Sequence, residues 1–164
     1  MTLSATMKTA WDCLGGAKRW RGCVRGLFGL ISREFDISSI GVLDCGVLRF
    51  SEHMTFSDGV EIKRQWEILD TGDGLDLKAD KIRLLEAGTI QDGGLVYEYA
   101  LKLGAVPCRY IDRFRARPDG RVENIGIARF MGIPVLRVEA VAEPLSIKES
   151  AVPTCAEPAL AAQT

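Results

Sequence analysis

Two neighbouring segments of the chain, residues 49–56 and 60–69, alternate apolar and polar side chains with a period of two. In each segment one charged residue, Glu52 in the first and Arg64 in the second, takes an apolar position. Successive side chains of a β-strand point to opposite faces, so both charged residues should face the apolar side. A three-residue loop over 57–59 with a left-handed glycine places Glu52 opposite Arg64. A two-residue turn would instead put the apolar side chains of the two strands on opposite faces of the sheet. The pattern therefore predicts a hairpin with an acid and a base facing each other in an apolar interior.

Short strand-like segments of this kind run from Arg19 to about Glu143, and turn signals separate them about every ten residues. The predicted turns lie at residues 38–39, 57–59, 71–74, 92–94 and 118–120. No segment of helical length intervenes, which argues against parallel βαβ units. Antiparallel strands with one apolar face close readily into an up-and-down barrel, because closure removes the exposed edges. The predicted fold is all-β, a single antiparallel barrel with room for side chains or one small ligand.

Only the start of the chain has the periodicity of an amphipathic helix. Its apolar positions at helical spacing are Leu3, Met7, Trp11 and Leu14. Thr2 or Ser4 can cap the helix, and the pair Gly15-Gly16 ends it. We expect this helix to close one end of the barrel, with Cys13 on the helix surface, rather than to bind a membrane or a partner.

The chain divides by composition into three parts. Residues 1–16 form the amphipathic helix and residues 17–143 form the barrel domain. Residues 144–164 are rich in Ala and Pro and lack apolar periodicity, so we expect a disordered tail. A chain of 164 residues and 18.0 kDa suffices for one domain with its own core.

Charge and cysteine usage limit the classes of partner. The net charge of −1 gives no general electrostatic reason to bind nucleic acid. A basic stripe over Arg109–Arg117 is more simply explained as a solvated barrel wall. The five cysteines are widely spaced, which is typical of a reducing compartment, and no apolar run is long enough for a leader or a spanning helix. We expect a cytoplasmic protein without membrane insertion, and a homodimer remains open.

Further polar side chains take inward positions of the predicted strands. Arg33 and Asp112 each share a face with apolar neighbours, and Tyr97, Tyr99 and Tyr110 place phenols on the same side. With the hairpin pair they give two carboxylates and two guanidiniums, a charge-balanced cluster of the kind tolerated away from water. Inward glycines of the first strand, such as those at 22 and 26, would leave volume free.

The sequence lacks the residues and motifs of several common catalytic and cofactor sites. His53 is the only histidine and falls on a polar face, so neither a histidine-based triad nor a zinc site is expected. The sequence has no phosphate loop and no dinucleotide fingerprint. We therefore expect no metal and no cofactor.

Several short motifs follow one another along most of the predicted barrel. They are Arg-Trp-Arg-Gly at 19–22, Arg33 with Phe35, Phe56–Glu61, Arg64-Gln-Trp66, Ala79-Asp80, Ala87-Gly88, Tyr97 with Tyr99, Asp112, Pro118–Gly120, Asn124 and Arg129–Ile133. In this order the chain resembles a family of lipocalin-like bacterial proteins of unassigned function, many of them described as putative lipoproteins. The resemblance implies a calycin-type barrel and no established activity. These 164 residues include no lipobox or signal segment like those of the lipoprotein members, so we do not expect the periplasmic location of those members to transfer.

Three functions remain open. The first is binding of a small, largely hydrophobic molecule with a polar end in the barrel cavity. The second is a cofactor-free isomerase, cyclase or lyase for a hydrophobic substrate in the same cavity. The third is a structural or partner-binding module with a filled barrel. The candidate catalytic residues are Glu52 and Asp112, and the candidate ligand-binding residues are Arg33, Phe50, Arg64, Trp66, Tyr97, Tyr99, Tyr110 and Asn124.

Overall fold

The computed structural model describes residues 3–26, 29–80 and 82–145, in which one helix precedes ten strands. The elements are α1 (Ala5–Leu14), β1 (Gly16–Gly26), β2 (Ile31–Asp44), β3 (Val47–Phe56), β4 (Glu61–Asp70), β5 (Leu75–Ala79), β6 (Arg83–Gln91), β7 (Gly94–Leu103), β8 (Val106–Ala116), β9 (Val122–Phe130) and β10 (Ile133–Pro144). Each strand pairs antiparallel with the next one in the chain, and β10 pairs with β1, so the sheet is a closed barrel. The predicted fold class is confirmed. The predicted tail beyond residue 145 lies outside the described residues.

The hairpin of β3 and β4 has the register that strand alternation predicted. Glu52 lies opposite Arg64, and Met54 lies opposite Ile62. A three-residue loop closes the hairpin, with the Phe56 N–H donating to the Val60 carbonyl at 2.9 Å. Gly59 has a φ of 82°, the left-handed conformation that this loop requires.

The predicted turn at residues 38–39 is wrong. Strand β2 continues through it to Asp44, and the turn is instead formed by Cys45 and Gly46, with φ angles of 48° and 82°. Ser39 points into the barrel, where its hydroxyl accepts a hydrogen bond of 2.9 Å from the Trp20 indole N–H. A serine that signals a turn locally is thus held in a strand by a partner on the neighbouring strand.

Helix α1 packs onto one end of the barrel. Ser4 caps it, accepting a hydrogen bond of 3.0 Å from the Met7 N–H, and Thr2 lies outside the described residues. The buried face consists of Met7, Ala10, Cys13 and Leu14. Trp11 is 36% exposed and Cys13 is fully buried, so the predictions that Trp11 belongs to the buried face and Cys13 to the surface are wrong. The helix docks against several strands at once. This docking decides which side of the helix is buried, because helical spacing alone left that side ambiguous.

The helix makes the two ends of the barrel different. We call the end covered by α1 the closed end and the opposite end the mouth. At the closed end Gly41 of β2 brings the sheet against the last turn of the helix, because a Cβ there would lie 2.9 Å from the Gly15 Cα. Near the mouth the wall is incomplete, since β5 pairs with β6 only through Leu75 and Gly88.

Candidate functional site

The barrel encloses a cavity of about 310 Å³ that extends from Leu14 at the closed end to the residues of the mouth. This volume lies at the lower end of the range for small-molecule pockets, so the protein's own side chains do not fill the interior. Apolar side chains from most strands form the wall, among them Phe35, Ile68, Leu77 and Val138. All ten candidate site residues line this one cavity, namely Arg33, Phe50, Glu52, Arg64, Trp66, Tyr97, Tyr99, Tyr110, Asp112 and Asn124.

The acid and the base of the β3–β4 hairpin meet inside this cavity. The Arg64 Nη1 lies 3.4 Å from the Glu52 Oε1, and the side chain of Glu52 is 11% exposed against 42% for Arg64. Arg64 therefore reaches from the mouth toward a deeper carboxylate. Burial raises the pKa of Glu52, while the charge of Arg64 opposes the rise. The Trp66 indole N–H also lies near this carboxylate and lowers its pKa, but it does not reach hydrogen-bond geometry.

Asp112 of β8 is the second carboxylate of the cavity. Its Oδ1 accepts a hydrogen bond of 2.5 Å from the Asn124 amide, and its Oδ2 accepts one of 3.2 Å from the Tyr99 hydroxyl. Asp112 is half-buried, and its side chain lines the cavity. This burial raises its pKa to about 7, because the two hydrogen bonds and the charge of Arg64 only partly offset desolvation and the charge of Glu52. Asp112 therefore holds its proton to a much higher pH than an ordinary aspartate.

Aromatic side chains surround the two carboxyl groups. Tyr99 stacks on Tyr110 with ring centroids 5.2 Å apart, and Trp66 tilts against Tyr99 at 6.1 Å. Burial raises the pKa of Tyr97, Tyr99 and Tyr110, so all three phenols stay protonated. The arrangement provides flat apolar surfaces with hydroxyl groups at their edges, which suits a ligand with a conjugated or ring-containing body.

Arg33 does not join the carboxylate cluster. Its Nη2 lies 2.5 Å from the Asp58 Oδ2 in the β3–β4 loop, and its guanidinium lies 4.2 Å from the centre of the Phe56 ring. The prediction of two guanidiniums balancing two carboxylates is therefore wrong. Arg33 lies on β2, the strand next to that of Glu52, but nearer the mouth. Its guanidinium therefore reaches the carboxylate of Asp58 in the β3–β4 loop. Within the described residues the cluster has two carboxylates and one guanidinium.

Glycines shape the cavity differently from the prediction. The Phe35 ring occupies the space beside Gly22, since a Cβ there would lie 2.6 Å from that ring, so this glycine does not leave volume free. Sequence reasoning missed two further inward glycines on which tyrosines lie. A Cβ on Gly88 would lie 2.7 Å from the Tyr97 ring, and one on Gly126 would lie 2.9 Å from the Tyr110 ring. Each of these glycines lies opposite an inward residue of the preceding strand, Gly88 opposite Leu75 of β5 and Gly126 opposite Asp112 of β8, and that pairing was the signal that could have found them.

The cavity also opens sideways near the mouth. A groove between β4 and β7 passes the gap left by the short β5 and shares Ile62, Arg64, Tyr99, Leu101 and Leu103 with the cavity. Its outer walls carry the cations Lys63, Arg83 and Lys102. A ligand can therefore occupy the barrel and still extend a polar group toward solvent.

The remaining features contribute little to a site. In the basic stripe, Arg109 pairs with Glu98 and Arg117 pairs with Glu123, as expected for a solvated wall. His53 pairs with Glu61 on the outer face. Among the described residues no group of His, Cys, Asp and Glu could hold a metal ion, and none of their helices is long and apolar enough to cross a membrane.

The closed strand order and the enclosed cavity define a lipocalin-like barrel of the calycin type. The chain belongs to the family described as "Protein of unknown function (DUF3833)", which matches residues 6–115. No curated protein matches the chain. Among solved structures, an S-type phycobiliprotein lyase from Guillardia theta has a TM-score of 0.62 and 13% sequence identity, with 89% of this chain and 96% of that chain covered. At this identity the similarity shows the fold alone.

Proposed function

We propose that the protein binds a small, largely apolar molecule that carries oxygen acceptors. One observation carries this proposal. The Arg33 Nε, the Trp66 Nε1 and the Tyr97 hydroxyl are buried without a hydrogen-bond partner among the described residues, and all three side chains line the cavity. Buried polar groups without partners are rare and require an explanation. All three can donate, so a carbonyl or carboxylate of a bound molecule is the complementary partner.

The rest of the wall fits the same kind of molecule. Phe50, Trp66 and the stacked pair Tyr99–Tyr110 offer apolar faces, and Arg64 offers a cation within reach of solvent. Asn124 holds Asp112 in place and leaves the protonated carboxyl able to donate. The similarity in fold to a phycobiliprotein lyase supports the handling of a small molecule in this type of barrel.

Two measurements test the proposal. Native mass spectrometry of protein purified from its own host should show a retained molecule, and the dye 1-anilinonaphthalene-8-sulfonate should bind to the emptied barrel. Val138→Phe fills the cavity from β10, and Val141→Phe adds the same ring to the outer face of that strand. We expect dye binding to weaken at least about tenfold in the first variant only, since the ring takes the space of the ligand. Equal binding by both variants would disprove a site in the cavity.

A second function, a cofactor-free isomerase, cyclase or lyase, is favoured by the state of Asp112. A carboxyl with a pKa of about 7 in a cavity can donate a proton at neutral pH and take it back. The molecule recovered by mass spectrometry is the substrate to test. Conversion should stop in Asp112→Asn or Glu52→Gln while binding of that molecule persists. Parallel loss of binding and conversion would instead assign these carboxyl groups to binding.

A further inference from the structure

Among the described residues, the two large apolar side chains that are most exposed lie at hairpin tips of the mouth. Leu30, in the loop between β1 and β2, and Met131, in the turn between β9 and β10, are each 86% exposed. Ile31 at 43%, Val106 at 42% and Ile133 at 55% are exposed at the same end. Scattered apolar residues on a protein surface need no explanation, but a cluster of fully exposed ones does.

These side chains form one continuous rim, because their hairpins are neighbours in the barrel. Strand β10 lies between β1 and β9, and its register places Gly26 beside Leu136. The turn of β9 and β10 therefore extends beyond the mouth beside the loop of β1 and β2. Strand β8 pairs with β9 on the other side, Arg109 opposite Arg129, so Val106 reaches the same height. We call Leu30, Ile31, Val106, Met131 and Ile133 the apolar rim.

The backbone at Met131 gives an independent reason to look for a contact outside the chain. Met131 and Gly132 form a two-residue turn with φ angles of 49° and 83°. Such hairpin turns favour Asn or Asp in the first position, as in the turn of Asp92 and Gly93 at the closed end. A methionine here is poorly suited to the turn and buries almost nothing in the barrel. Neither backbone geometry nor packing accounts for it.

The chain segments that carry the apolar rim are basic. The described residues of the segments 24–32, 102–109 and 128–137 include five basic residues and no acidic residue. The five are Arg25, Lys102, Arg109, Arg129 and Arg137. Arg109 pairs with Glu98, and both Arg25 and Arg137 pair with Glu139. Lys102 and Arg129 have no ion-pair partner among the described residues.

We propose that the mouth of the barrel docks on the surface of an anionic lipid membrane, with the apolar rim entering the headgroup region. Protruding apolar tips backed by cations are what such an interface binds, through apolar burial and attraction to anionic headgroups. A protein partner would require a flatter and more complementary surface than separate hairpin tips provide. Docking in this orientation turns the cavity toward the bilayer, so an apolar molecule passes between lipid and barrel without crossing water.

Cosedimentation with empty vesicles tests the proposal without any cavity ligand. The vesicles contain phosphatidylcholine alone or phosphatidylcholine mixed with phosphatidylglycerol. The variant Leu30→Ser combined with Met131→Asn removes the two tips, and asparagine suits the turn, so the barrel should stay folded. Val42→Ser is the control outside the apolar rim, since it removes an apolar side chain that is 43% exposed from β2 toward the closed end.

We expect the wild type to bind the mixed vesicles, the double variant to bind at least about tenfold more weakly, and the Val42 variant to bind like the wild type. Arg129→Gln should weaken binding to mixed vesicles more than to neutral ones. Absence of vesicle binding, or equal binding by the double variant, would overturn the proposal. The proposal would also be overturned if the wild type bound no vesicles and instead formed a dimer that the double variant dissociates. Val138→Phe should leave vesicle binding unchanged, which separates this proposal from the cavity ligand.

Discussion

The closed end of the barrel is tightly packed, whereas the mouth has a gap in its wall and exposed apolar side chains. At the closed end α1 buries Met7, Ala10, Cys13 and Leu14, and its turns carry Asp44, Asp70, Asp73, Asp92 and Asp119. Burial raises the pKa of the Cys13 thiol to about 11 and lowers that of Lys18, which donates to the Gly15 carbonyl. At the mouth the β5–β6 wall is open and the tips of two hairpins expose Leu30 and Met131.

This difference leaves the mouth as the end from which the cavity is accessible. The helix fills the space that would otherwise connect the interior to solvent at the closed end. Polar groups without partners, among them Tyr97 and Trp66, lie between the two ends, where a ligand entering from the mouth would meet them. Three substitutions test whether the two ends differ in packing and in electrostatics.

Gly41→Ala should destabilise the protein most, because its Cβ would meet the backbone of Leu14 and Gly15. We expect the free energy of unfolding to fall by about 3 kcal/mol, as is typical when a packed region is overfilled. Gly26→Ala, toward the mouth, is the matched control, since its nearest contact would be an ordinary 3.4 Å. Its effect should stay within about 0.5 kcal/mol. Equal losses in urea denaturation would show that the two ends are packed alike.

Asp112→Asn should change the dependence of stability on pH. The pKa of Asp112 is about 7 in the folded protein against 3.8 for an ordinary Asp, so the folded state keeps a proton that the unfolded state releases. Stability from this group is therefore present below about pH 4, falls as the pH rises to about 7 and stays constant above that.

We expect Asp112→Asn to remove this slope and to raise the free energy of unfolding by about 2 kcal/mol at pH 8, because an amide does not carry the cost of an ionised carboxylate in a desolvated place. Denaturation across this pH range measures it, and Asp73→Asn, at an exposed turn of the closed end, is the control. An unchanged slope in the Asp112 variant would contradict a buried carboxyl.

Asp58→Asn should have the smallest effect. It breaks the ion pair with Arg33 at the mouth, where both side chains are more than one third exposed. Exposed ion pairs contribute little and are screened by salt. The thermal midpoint should fall slightly at low ionic strength and match the wild type at high salt. A loss as large as that of Gly41→Ala would mean that the mouth is as tightly built as the closed end.

Much of the fold could be predicted because strand alternation and turn chemistry are local. The pairing of Glu52 with Arg64 followed from the length of one loop, and the inward position of Asp112 followed from its neighbours in β8. The face of α1 could not be predicted in the same way. Met7 and Trp11 both fit helical spacing, and only docking on the barrel exposed Trp11.

Local signals in the sequence were enough to predict a closed antiparallel barrel, the inward side of residues such as Glu52, Arg64 and Asp112, and the left-handed glycine of the β3–β4 loop. Those properties depend on a two-residue period and on the few conformations that a short loop allows. Three features follow only from the folded chain: Arg33 pairs with Asp58, Asp112 has no guanidinium partner among the described residues, and the interior stays open. Such outcomes depend on how far side chains reach between strands that are distant in sequence, and alternation carries no information about that distance.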